Sequence, residues 1–260
     1  MTALRPLPGP QWVSRLTMIF ALTAAVVGGA VRQALAQSDG VVVPRVMSLG
    51  GRCVHCDLST RKLAGARFVG GNFETTSFVG SDLRGATFLG SNFSGADFSH
   101  ADLRAASMTG SNFQGADFGD ANLTGVQALN ANWSGADLQG ARVISGALIH
   151  CNLARANAQG ARFDDANMLD ARLDGGDFEG ASFRQAQLLG AVLTGGDFSG
   201  ADFKGASLRG AVIAGTDLSE SLNITRDQIA EACADRGTRL PGGLTAHACA
   251  NRVIVIRRQP

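Results

Sequence analysis

Residues 96–120 read ADFSH ADLRA ASMTG SNFQG ADFGD, five groups of five residues in which the third position is always large and apolar. The first position of each group is small. Outward from this stretch, the apolar position recurs at every fifth residue from Leu58 to Leu218, which makes 33 pentads without a change of phase. Neither the helix period of ~3.6 residues nor the strand period of ~2 keeps such a series on one side. The chain must therefore turn a corner in every pentad.

The pattern fits a chain in which each pentad forms one side of a square coil. The small first residue and the large third residue point inward, and the other three face water. Glycine follows the apolar centre by two residues at 20 of the 33 positions, where it allows a tight corner. Four sides make one coil, and coils stack at the strand spacing of ~4.8 Å. The sequence therefore predicts an all-β solenoid of about eight coils, roughly 40 Å long.

Pentads such as Ala136-Asp137-Leu138-Gln139-Gly140 resemble the A(D/N)LXX motif of the pentapeptide repeat family. The resemblance covers about residues 56–220 and implies a right-handed quadrilateral β-helix. Some cytosolic members of the family are acidic rods that mimic DNA and protect DNA gyrase from quinolones. Rods of this family are often dimers through their C-terminal ends, so the resemblance also implies a homodimer through that end.

The first 36 residues differ from the rest of the chain. Arg5 and Arg15 precede an uncharged stretch from Leu16 to Val31, and small residues at Ala34 and Ala36 follow it. This order is typical of a secretory signal peptide, and it predicts cleavage after Ala36 and a periplasmic or secreted protein. A retained N-terminal anchor and a misread cytosolic leader are the alternatives. After cleavage we expect no integral membrane span.

The mature chain divides into three parts. Residues 37–55 form a lead-in, residues 56–220 the β-helix, and residues 221–260 a C-terminal cap and tail. In the cap, Thr225 and Gln228 have the spacing of a capping box, which predicts a short α-helix to about Asp235. The apolar run Val253–Ile256 predicts one strand, which closes an edge of the β-helix or pairs with a second subunit.

Steps of one coil place many aspartates on a single face of the rod. The candidate binding residues on this acidic face are Asp97, Asp117, Asp137, Asp177, Asp197 and Asp217. In one interpretation Asp and Asn side chains bond backbone amides at the corners, and stacked Asn residues form amide ladders. In the other, the aspartates form a negative stripe that binds cations or a basic partner.

The five cysteines suggest disulfides more than a metal site. In an exported chain Cys233 and Cys249 are expected to form a disulfide that ties the tail to the cap helix. Cys53 and Cys56 form a CxxC sequence, which lacks the second ligand pair of a zinc site and predicts a disulfide or plain packing. Cys151 occupies an inward small position. No metal site is predicted.

The net charge and the absence of catalytic and cofactor motifs limit the classes of function that the sequence allows. The net charge of the whole chain is +1, and residues 57–220 have 18 acidic and 12 basic residues, so no nucleic-acid binding is expected. No catalytic constellation surrounds the four histidines, and no cofactor motif is present. The sequence predicts a non-enzymatic exported rod, a scaffold or binding surface for an unknown protein partner in the bacterial envelope. The alternatives are a DNA-mimicking rod that binds gyrase or another topoisomerase, and a cation-binding envelope protein.

Overall fold

The structure is a computed structural model that describes residues 48–49, 51–245 and 248. The chain divides into two units, Met1–Val41 and Val42–Pro260, and every described residue lies in the second. The predicted signal peptide, most of the predicted lead-in, Cys249 and the predicted strand Val253–Ile256 lie outside the described residues.

The coils are joined by parallel backbone pairing at a constant spacing of 20 residues. It begins at Arg52 with Asn72 and continues without a shift to Asp202 with Leu222. Three runs are long enough to be strands, β1 at Ser48–Leu49, β2 at Arg67–Val69 and β3 at Thr87–Leu89. They form one parallel sheet in the order β1-β2-β3. The fold is thus a β-helix, as the pentads predict.

A tight turn closes each side of the coil. At one corner, the Ala66 amide donates to the Leu63 carbonyl at 3.0 Å, and Gly65 between them has a φ of 71°. Every fifth residue from His55 to Gly215, 33 in all, has a positive φ, and 20 of these are glycine. A positive φ at the third residue of a turn is the mark of a type II turn. The predicted glycine corners are therefore confirmed, and four such turns in each coil make it quadrilateral.

The interior is a set of stacked apolar columns. All 33 apolar centres from Leu58 to Leu218 are at most 2% exposed. The rings of Phe78 and Phe98 lie 4.7 Å apart at an angle of 2°, and several other phenylalanine pairs one coil apart stack in the same way. Burial of a side chain of this size contributes ~1.5–3 kcal/mol to the free energy of unfolding. The predicted inward positions are confirmed.

The structure has one helix at the C-terminal end of the rod among the described residues, α1 at Arg226–Glu231. Thr225 and Gln228 form the capping box. The helix ends four residues before the predicted Asp235, because Cys233 returns to the sheet and its amide donates to the Ala211 carbonyl at 2.7 Å. Within the part of the chain that the structure describes, no helix has the length and apolarity of a membrane span.

Helix α1 closes the last coil through a contact that the sequence did not suggest. Gln228 Nε2 donates to the carbonyls of Phe203 and Ala206 at 2.8 and 2.7 Å. Ile229 of the helix is fully buried, as its place on the apolar side of the cap predicts. Coil ends expose backbone groups that would otherwise be unpaired. Gln228 thus caps helix α1 and also provides hydrogen-bond donors for two backbone carbonyls at the end of the β-helix.

The corners allow a direct test of backbone strain. Gly160 has a φ of 64° with nothing within 4 Å of an added Cβ, so Gly160→Ala changes conformational energy alone. Left-handed backbone costs a residue with Cβ about 1 kcal/mol, so we expect Gly160→Ala to lower the free energy of unfolding by that amount. Ala105 has a φ of 55° and allows the reverse substitution. We expect Ala105→Gly to raise the free energy of unfolding by up to about 1 kcal/mol. Urea denaturation measures both, and equal signs would contradict the strain argument.

Candidate binding faces of the rod

The constant spacing sorts the outward residues into four faces, each with one column before and one column after the apolar centres. The acidic face contains the columns that begin at Asp57 and Ser59, and the arginine face those that begin at Lys62 and Ala64. The apolar face contains the columns that begin at Arg67 and Val69, and the asparagine face those that begin at Asn72 and Glu74. Because a coil has four sides, the acidic and apolar faces are opposite.

The acidic face brings all the predicted binding residues into one column. Parallel pairing stacks them on successive coils together with Ser77 and Asn157; the aspartates are Asp57, Asp97, Asp117, Asp137, Asp177, Asp197 and Asp217. Neither column of this face contains a lysine or arginine between residues 57 and 219. The cation on this stack is Arg239, at its C-terminal end, whose Nη1 donates to Asp217 Oδ2 at 2.6 Å. The five aspartates from Asp97 to Asp197 form no ion pair with any described residue.

Each aspartate of the acidic column has the same structural role. Its Oδ1 accepts a hydrogen bond from the backbone amide two residues later, at 2.8 Å from Gly119 to Asp117 and at most 3.1 Å elsewhere in the column. Asn157 makes the same bond with the amide of Gln159 at 3.3 Å. The corner thus needs an acceptor oxygen and not a charge, so the corner bond does not explain why the column is negative.

The asparagine face contains the amide ladder that the sequence suggested. Asn72, Asn92, Asn112, Asn132 and Asn152 stack on successive coils. From Asn92 onward, each Nδ2 donates to the Oδ1 of the asparagine one coil earlier, at 2.9–3.1 Å. Arg52 and Arg172 flank the ladder in the same column. The amides of this ladder are therefore paired with one another along the rod.

The arginine face pairs most of its charges within the rod. Arg84 contacts Asp82 through Nε and Nη2 at 2.8 and 2.7 Å, and Arg104 contacts Asp102 in the same way. These hydrogen bonds are the main cause of the lowered pKa of Asp82 and Asp102 relative to the ordinary aspartate value of 3.8. Further along the face, Arg184 Nε lies 2.6 Å from Asp202 Oδ2. By contrast, the five aspartates from Asp97 to Asp197 on the acidic face have no ion pair with any described residue.

The apolar face was not found by the sequence analysis. The column that begins at Val69 is the outer column; it comprises Val69, Leu89, Thr109, Leu129, Ile149, Leu169 and Leu189, and Arg209 follows on the next coil. Leu89, Leu129 and Leu189 are 46%, 39% and 41% exposed, and they are three of the four exposed large hydrophobic residues in the described chain. Between Thr87 and Leu189 neither column of this face contains a charged residue. The members of this column are 20 residues apart, so comparing every twentieth residue in the sequence would have revealed it. Comparing every fifth residue mixes the four faces and conceals it.

The cysteines are consistent with an oxidised protein. Cys53 and Cys56 form a disulfide, which selects one of the two alternatives left open by the sequence. Cys233 is disulfide-bonded, and its predicted partner Cys249 lies outside the described residues, so that pairing stays a prediction. Cys151 is buried, and burial raises the pKa of its thiol well above the usual range.

The remaining titratable residues are dispersed along the rod. His100 and His150 each lie 3.9 Å from the carboxylate one coil later, Asp120 and Asp170 respectively. Across residues 51–245, no group of three or more His, Cys, Asp or Glu side chains is arranged to hold a metal ion. The described residues therefore do not provide a ligand cluster for the cation-binding alternative, which stays a prediction.

The fold and its repeat define a class of quadrilateral β-helical rods built from pentads. The sequence matches the family model for pentapeptide repeats over residues 56–95, 88–125, 116–147 and 148–185. A second pentapeptide repeat model matches residues 178–222. The first model covers residues 56–185, half of the 260-residue chain, so this chain belongs to the pentapeptide repeat family.

Solved structures similar to this chain are pentapeptide repeat proteins. HetL, involved in heterocyst differentiation regulation in the cyanobacterium Nostoc, is 22% identical with a TM-score of 0.43, covering 84% of this chain and 98% of HetL. QnrB1, a plasmid-mediated fluoroquinolone resistance protein, is 23% identical with a TM-score of 0.46, covering 74% and 92%. A thylakoid-lumen protein of Arabidopsis thaliana is 24% identical with a TM-score of 0.34, covering 45% and 77%. A search of curated protein sequences gave no match.

The arginine face predicts a specific acid sensitivity. Because the pKa values of Asp82 and Asp102 are lowered in the fold, their stabilisation is present above the unfolded value of 3.8 and is lost as the pH falls through the folded values. The urea midpoint of Arg84→Gln/Arg104→Gln should therefore lie below that of wild type at pH ~7, and the difference should close by pH ~2. Arg142→Gln changes the same face at a residue without an ion pair to any described residue, so its effect should not depend on pH. A difference that persists at pH ~2 would contradict the linkage.

Proposed function

We propose that this chain is an exported, non-enzymatic rod that acts as a scaffold by binding a protein partner through its acidic face. The observation that carries the proposal is the stack of five aspartates from Asp97 to Asp197, which has no cation on its own face. Since an asparagine supplies the same corner bond at position 157, the negative charge is available for recognition.

The electrostatics define the chemistry of the partner. Like charges ~5 Å apart repel by about 0.8 kcal/mol per neighbouring pair in water, and a bound cationic surface would relieve this repulsion. Complementary charge of this kind raises association rates and makes binding sensitive to salt. The partner therefore presents a row of lysine or arginine side chains along a flat or extended surface at least several coils long.

The cysteine chemistry supports export. Disulfides persist in oxidising compartments and are rare in the cytosol, and Cys53, Cys56 and Cys233 are all disulfide-bonded. The predicted leader with cleavage after Ala36 leads to the same compartment. The predicted homodimer through the C-terminal end is a separate proposal, because residues 249–260 lie outside the described part of the chain.

A charge-only variant tests the acidic face. Asp97→Asn/Asp117→Asn/Asp137→Asn removes three charges while each side chain keeps an oxygen for the corner bond, so the fold should be retained. We expect capture of the partner from an envelope extract to fall about tenfold or more, with weaker salt dependence in the residual binding. The control Glu74→Gln/Asp165→Asn/Asp170→Asn removes three exposed charges outside the acidic face and should capture the partner normally. Equal capture by wild type and both variants would refute the acidic face as the binding site.

The acidic column also favours a second candidate, a DNA-mimicking rod that binds gyrase or another topoisomerase. The two candidates require different compartments. We expect mature protein that begins at Gln37 in the periplasmic fraction, detected by N-terminal sequencing after fractionation. Intact cytosolic protein that still contains residues 1–36 would instead support the topoisomerase candidate and contradict export.

A further inference from the structure

The apolar face has the character of a contact surface. Its outer column places an apolar side chain on six of seven successive coils, and Thr109 is the exception. Leu89 and Leu189 near the ends and Leu129 at the centre are all more than one third exposed. Single exposed leucines are ordinary on soluble proteins, but a contiguous apolar row marks an interaction site.

The dimensions of this face limit what can cover it. Seven coils at ~4.8 Å spacing extend about 29 Å between the first and last side chains, and one pentad at ~3.3 Å per residue spans at most about 16 Å. The face therefore offers about 450 Å² per molecule. Two such surfaces bury about 900 Å², which is the size of weak and transient protein interfaces. The area supports a weak dimer.

The distribution of charge indicates the second copy as the occupant. The acidic face cannot pair with itself, because stacked aspartates would repel, and the arginine face has charges of both signs, most of which form internal ion pairs. The two columns of the apolar face have no charge between Thr87 and Leu189, so contact between these columns desolvates no ion, and Asp165 and Asp170 at the neighbouring corners stay at the rim. Among the four faces, the apolar face has the longest uncharged stretch, because the asparagine face carries Glu74, Arg172 and Asp174.

We propose that the rod forms a side-by-side, antiparallel dimer through its apolar face. A two-fold axis at Leu129, the middle of the seven positions, places Leu89 of one copy against Leu169 of the second. Such an interface is isologous, since the same surface serves both copies. It differs from a dimer through the C-terminal end, and it leaves both acidic faces outward on opposite sides. The inference does not depend on the proposed partner of the acidic face.

Sedimentation velocity over a range of protein concentrations tests this dimer. Wild type should pass from monomer to dimer with a micromolar dissociation constant. Leu129→Glu places two carboxylates together at the two-fold axis and should weaken the dimer by about tenfold or more. Ile144→Glu introduces the same charge on the arginine face, and Ile254→Asp disrupts the predicted C-terminal strand; both should leave the dimer unchanged.

Cross-linking provides a second readout that does not need a disruptive charge. Leu129→Cys places two thiols close to the axis, so mild oxidation should link two copies, whereas Ile144→Cys should not cross-link. A protein that stays monomeric at all concentrations would overturn the proposal, as would a dimer that Ile254→Asp abolishes and Leu129→Glu does not. Asp97→Asn/Asp117→Asn/Asp137→Asn should not change the dimer, so failure of the acidic-face proposal is distinguishable from failure of this one.

Discussion

Backbone pairing between successive coils is the constraint on which the other features depend. Because residues 20 apart pair without a shift from Arg52 to Leu222, a side chain cannot move to another face without breaking that pairing. The constant register aligns phenylalanine with phenylalanine inside the rod and aspartate with aspartate outside it. The repeated register thus converts a weak preference in each pentad into long columns, so that residues of one type recur along each face.

Most of the rod follows from local rules that can be read in the sequence. The interior positions and the glycine corners were predicted because each depends on one pentad and on the conformational freedom of glycine. The start of α1 was also predicted, since Thr225 and Gln228 are close in sequence. Its end was misplaced because the pairing of Cys233 with Val212 is a contact between distant parts of the chain. The apolar face was missed because its members are separated by whole coils.

The candidate site was anticipated in position but not in detail. The stack of aspartates could be predicted by steps of one coil, whereas the pairing of Arg84 with Asp82 depends on side-chain conformations that a repeat does not specify. With these two proposals, the opposite faces would have different physical uses. Charge acts over a Debye length and gives selectivity, and apolar area acts at contact and gives affinity. A dimer through the apolar face would present two acidic faces and bind a repetitive partner with avidity.

The asparagine ladder has a direction. All four of its hydrogen bonds run from Nδ2 of one coil to Oδ1 of the coil before, so the side-chain amide dipoles point the same way along the rod. Dipoles aligned head to tail add up, as peptide dipoles do in an α-helix, and hydrogen bonds in such a chain polarise one another. The rod therefore has an electrical polarity along its axis as well as across it, and an ion that approaches from the Asn72 end experiences a different field from one that approaches from the Asn152 end.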